Sequence, residues 1–90
     1  MTIQEQKAAV EEAQQLWALV LPDVQPPDSF RFWTWATKFP AAAVARGVAR
    51  AAAKHRKMAN SSAPMTAEET ARYCSSVIRN EAEAALVGLL

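Results

Sequence analysis

Arg46, Arg50 and Lys54 recur every four residues in the stretch Pro40 to Lys57, PAAAVARGVARAAAKHRK, and Lys57 adds a fourth cation. At about 100° per residue these four gather on one face of a helix, opposite a stripe of Val44, Val48, Ala51, Ala52 and His55. Guanidinium and ammonium groups at that pitch suit contact with successive phosphates of a polyanion. Arg31, Lys38 and Arg56 stand near enough in sequence to help. Such contacts hold a nucleic acid without reading its bases, so the partner they imply is DNA bound sequence-nonspecifically. The competing reading is a solvated face paired with acidic helices beside it, where each exposed ion pair contributes only about 0–1 kcal/mol.

Other chemistry finds little support. Glu11/Glu12 and Glu68/Glu69 are adjacent in sequence, so on a helix each pair diverges by about 100° and cannot converge on one substrate atom. His55 has no second histidine, cysteine or acid at ligand spacing, and no metal is expected. Cys74 could serve as a nucleophile only if folding happened to bring His55 to it. There is no glycine-rich phosphate loop, no Ser-His-Asp ordering and no aspartate cluster for magnesium. The expectation is a non-enzymatic protein with no cofactor and no small-molecule substrate.

The charge is segregated along the chain. Residues 1–30 carry five acids against Lys7, residues 31–57 carry seven cations and no acid, and the remainder carries four glutamates against Arg72 and Arg79. If Glu5, Glu11 and Glu12 of the first segment folded over the basic row, the row would be an internal device and not a landing site. Ninety residues suffice for one domain with a thin core. A single cysteine excludes an internal disulfide, the amino terminus lacks the order of an export signal, and no apolar run approaches a membrane span. A cytoplasmic protein with no membrane partner is expected.

Four helices must position these residues. Thr2 and Glu5 have capping-box spacing and open a first helix, about 3–20, whose apolar side is Ile3, Val10, Ala13, Leu16, Trp17 and Val20. Pro22, Pro26 and Pro27 make a stiff corner, after which Asp28 or Ser29 caps a second helix, about 29–38. That helix is apolar on two sides, Phe32, Trp35, Ala36 and Phe39 on one and Phe30 and Trp33 on the other. It is expected to lie sandwiched at the centre of the domain. Alternatively, Trp33 or Trp35 offers a ring to an unstacked base, with Arg31 and Lys38 beside it for phosphate.

Pro40 opens the third helix, about 40–58, in which Gly47 lies four residues from Ala43 and Ala51; either another helix approaches closely there or the spacing is chance. After the polar loop NSSAP, Thr66 and Glu69 repeat the capping box and start a fourth helix, about 67–85, with Cys74, Val77 and Ile78 inward. The carboxyl end is unusually aliphatic. Leu86, Val87, Leu89 and Leu90 should dock on the first helix or, alternatively, form a protein interface that makes a homodimer. The fold class is thus all-α, a small single-domain four-helix orthogonal array or bundle over residues 1–90.

From Phe30 onward the order of features resembles the DnaD-like helical module of bacterial and phage replication-initiation proteins. The resemblance, over about residues 29–81, rests on Trp33, then Val44, Val48 and Ala52, then Tyr73-Cys74-Ser75-Ser76-Val77-Ile78; the tryptophan that usually closes the pattern is replaced by Glu81. It implies an all-helical module that contributes to DNA binding or to assembly of a replication complex.

Overall fold

A computed structural model describes residues 1–88, and it contains four helices: α1 (Ile3–Val20), α2 (Ser29–Lys38), α3 (Ala41–Met58) and α4 (Ala67–Gly88). The fold is all-α, with no strand among the described residues. The caps explain the boundaries. Thr2 Oγ1 accepts from Glu5 N at 3.1 Å, and Asp28 Oδ1 accepts from Arg31 N at 2.9 Å. At α4 the box closes in both directions, Glu69 N to Thr66 Oγ1 at 3.1 Å and Thr66 N to Glu69 Oε1 at 2.9 Å. The bond from the Thr66 amide, followed by that with its hydroxyl, holds the Glu69 carboxyl below its ordinary pKa. Pro40 occupies the cap position of α3 with extended backbone, one residue outside the helix.

The core has two parts. An aromatic cluster joins α1 to α2: Trp17 stacks at 27° on Trp35 with centroids 6.2 Å apart, and Phe32 meets both edge-on, at 6.1 Å from Trp17 and 5.5 Å from Trp35. Trp17 Nε1 donates to the Val24 carbonyl at 3.1 Å, so the proline-rich corner is fastened to the core and buries Leu21 and Val24. The second part is a seam of small residues between α3 and α4, where Ala43, Gly47, Val48 and Ala51 on one side are buried, as are Ala71, Cys74 and Ile78 on the other. Gly47 sets the closeness of this seam. A β-carbon there would overlap Ile78 Cγ1 and lie 3.2 Å from the Cys74 carbonyl oxygen.

Four expectations are corrected here. The centre of the domain is α3, which packs against α1, α2 and α4, and not the aromatic α2. Nor is α2 sandwiched: its Phe32 face is buried, but Phe30 is 72% exposed and Trp33 41% exposed, the two rings stacked at 6.0 Å. Among the described residues no helix covers that second face, and α1 leaves beside it a groove lined by Ile3, Val10, Phe30 and Trp33. Helix α4 continues three residues beyond the expected end, and Leu86 and Val87 stay exposed instead of docking on α1. Leu89 and Leu90 lie outside the described residues.

Candidate nucleic-acid interface

The basic row follows from the register of α3. Burial of Val44, Val48, Ala51 and Ala52 turns Arg46, Arg50, Lys54 and Lys57 to the surface. The carboxylate that meets the row comes from α4, not from α1. Glu81, only 14% exposed, spans two arginines, with Oε2 at 3.3 Å from Arg46 Nη1 and Oε1 at 3.0 Å from Arg50 Nη2. Both arginine side chains remain open, 67% and 64% exposed, so the clasp neutralises one charge without covering either guanidinium. Glu5, Glu11 and Glu12 form no ion pair among the described residues.

Further along the row, Lys54 Nζ stands 5.6 Å above the centre of the Tyr73 ring, a cation–π contact that orients the side chain but adds no negative charge. Arg56 and Lys57 are exposed and have no carboxylate partner among the described residues. The row therefore keeps a surplus of positive charge, densest towards the end of α3. Residues Arg31 and Lys38 are not part of this surface. Arg31 is half-buried between α2 and α4 and pairs with Glu68 at 3.1 Å, while Arg72 Nε reaches the same Glu68 oxygen at 3.2 Å. The hydrogen bond from Arg31, supported by Arg72, holds the Glu68 carboxyl below its ordinary range. Lys38 is exposed at the far end of α2.

Of the two tryptophans considered as base platforms, Trp35 is buried, with its Nε1 donating to Ser75 Oγ at 3.0 Å, and only Trp33 reaches the surface. His55 is half-buried, its Nδ1 3.4 Å from Thr70 Oγ1. The Cys74 thiol is fully buried, and desolvation pushes its pKa up to about 12, the reverse of what activates a nucleophile. No cluster of three metal-ligating side chains occurs among the described residues, and no described helix is long and apolar enough to cross a membrane.

Glu81 is the residue whose role could not be foreseen. Only the antiparallel seam with α3 brings it to Arg46 and Arg50. Searches against family models, curated proteins and solved structures found no match to this chain.

Proposed function

We propose that the chain is a non-enzymatic module that binds nucleic acid through its phosphates, with α3 as the contact helix. The observation that carries this reading is the exposed row of Arg46, Arg50, Lys54 and Lys57, which among the described residues pairs with one carboxylate, that of Glu81. Opposed cations in excess of anions attract a phosphate chain and release its counterions, which supplies affinity with no sequence preference. A phosphate can share the Glu81 clasp, because both guanidinium groups stay open to solvent on the side away from that carboxylate. The DnaD-like order of residues suggests replication, in the cytoplasm, as the setting.

Replacing Arg46, Arg50, Lys54 and Lys57 together by glutamine tests this. All four side chains are exposed, so the circular dichroism spectrum should hold, while the melting temperature should fall modestly because Glu81 loses both of its cation partners. Affinity for a fluorescent duplex in low salt, read by anisotropy, should fall at least about tenfold. Equal affinity for the two proteins would rule out α3 as the contact surface.

A second reading is favoured by a separate observation, the exposed Phe30–Trp33 stack and the groove of about 500 Å³ that it forms with Ile3 and Val10. We infer from it, and from exposed Leu86 and Val87, that protein–protein association, including homodimerisation, is the alternative role. Light scattering on the full chain and on a chain ending at Ala85 separates the contributions: a dimer that dissociates on truncation assigns the contact to the end of α4. A monomer in both rejects the dimer.

A further inference from the structure

Between α2 and α4 runs a groove of about 360 Å³ whose walls include Asp28, Phe30, Arg31, Lys38, Ser75 and Arg79. It is separate from the basic row. Arg79 and Glu81 are two residues apart on α4 and so point about 200° apart, which puts the groove and the Arg46–Glu81 clasp on opposite flanks of that helix.

The residues that line the groove carry hydrogen-bond donors with nothing to donate to. Arg31 gives Nη2 to Glu68 at 3.1 Å, but its Nη1 is shut off from solvent and has no acceptor. Ser75 Oγ accepts from Trp35 Nε1 at 3.0 Å, which leaves its own hydroxyl proton free. Lys38 and Arg79 are exposed cations without an ion pair among the described residues. Against these stands the carboxylate of Asp28, which already caps α2 by accepting from Arg31 N at 2.9 Å. A buried guanidinium N–H without an acceptor is unfavourable where it stands, so an anion that draws it out relieves a cost already present.

We propose that this groove binds a phosphate group carrying an unpaired base. The phosphate takes the charges of Lys38 and Arg79, the Ser75 hydroxyl and, by rotation of its guanidinium, Arg31 Nη1. The base stacks on Phe30, a residue that lines the groove and is 72% exposed, on the ring face turned away from Trp33. A paired base inside a duplex cannot reach that ring, so the ligand is a single strand or a free nucleotide. The inference builds on the nucleic-acid reading above only in choosing a phosphate with a base attached; its site and residues are different.

The test uses a labelled oligothymidylate, an unlabelled duplex and thymidine 5′-monophosphate against three proteins: wild type, Lys38→Gln with Arg79→Gln, and Phe30→Ala. All three altered side chains are exposed, and the fold should persist. Single-strand affinity should fall at least about tenfold in the double variant and several-fold in Phe30→Ala, with duplex affinity nearly unchanged. Competition by the mononucleotide at the wild-type groove marks a free nucleotide as a ligand; competition by the oligonucleotide alone marks a strand. Single-strand affinity and mononucleotide competition that are the same in all three proteins would overturn the proposal. In that case an α3-dependent duplex affinity would still stand, whereas single-strand binding that needs Lys38 and Arg79 beside an absent duplex affinity would reject the α3 reading and keep the groove.

Discussion

Trp17→Ala should remove most of the stability of this domain. The side chain is 1% exposed, packs against Phe32 and Trp35, and donates Nε1 to the Val24 carbonyl. Truncation leaves a cavity in the aromatic cluster, a change that costs roughly 3–5 kcal/mol, and it also leaves a buried carbonyl without its donor, roughly 1–3 kcal/mol more. A domain of this length holds only about 5–13 kcal/mol in total. The melting temperature should drop by well over about 12 °C, or the variant should be unfolded at room temperature, as read by far-ultraviolet circular dichroism. A shift of only a few degrees would mean that the cluster is not the core of the α1–α2 half. Because the Val24 bond fastens the corner, the region around Val24 should also gain hydrogen exchange before the α3–α4 seam does.

Gly47→Leu should come second in size. On propensity alone, replacing a glycine within a helix stabilises by up to about 1 kcal/mol. The seam reverses the sign. A β-carbon at this position already overlaps Ile78, which is fully buried, and lies 3.2 Å from the Cys74 carbonyl oxygen of the α4 backbone. Overpacking of this kind costs roughly 1–3 kcal/mol for a few methylenes and more where backbone must shift, so a net loss of about 2 kcal/mol or more is expected in urea unfolding. Gly47→Ala should show the same sign in smaller measure, and adding Ile78→Ala should restore part of the loss through a favourable coupling between the two positions. A Gly47→Ala protein more stable than wild type would show that α3 and α4 do not approach this closely.

Much of this architecture is legible from residue order because its punctuation is local. Thr2 and Thr66 with glutamates three residues on, Pro22, Asp28 and Pro40 mark ends that backbone chemistry alone determines. The inward stripe of α3 is equally plain, since Val44, Val48, Ala51 and Ala52 leave no other face to bury. What periodicity cannot say is whether a neighbour exists to cover a second apolar face. Phe30 and Trp33 illustrate this: their spacing puts them opposite Phe32 and Trp35, but only the placement of α1 decides that they meet solvent. Leu86 and Val87 are exposed for a related reason, because α4 keeps its helical course through Gly88.

The candidate sites divide along the same line. The basic row belongs to a single helix, so its four residues could be grouped by spacing alone. Its partial neutralisation belongs to two helices. Glu81 lies on the acidic carboxyl-terminal stretch, and nothing in its neighbours indicates that it will span Arg46 and Arg50. The α2–α4 groove was legible only in its α2 half, where Arg31 and Lys38 stand beside aromatics in sequence: Arg79 and Ser75 are separated from Arg31 by more than forty residues and meet it only through the packing of α4 beside α2. A hint was available in the spacing of Glu68, Arg72, Ser75 and Arg79, a polar row at helical pitch on one side of α4.

The most direct measurement is the salt dependence of duplex affinity for the wild-type chain. If the cations of α3 meet about three or four phosphates, the logarithm of the association constant should fall linearly with the logarithm of salt concentration, with a slope near −3. The glutamine-substituted row should flatten that slope towards zero. A wild-type chain that fails to bind duplex in low salt, or binds with an affinity indifferent to salt, would contradict the assignment of α3 as a phosphate-contacting helix.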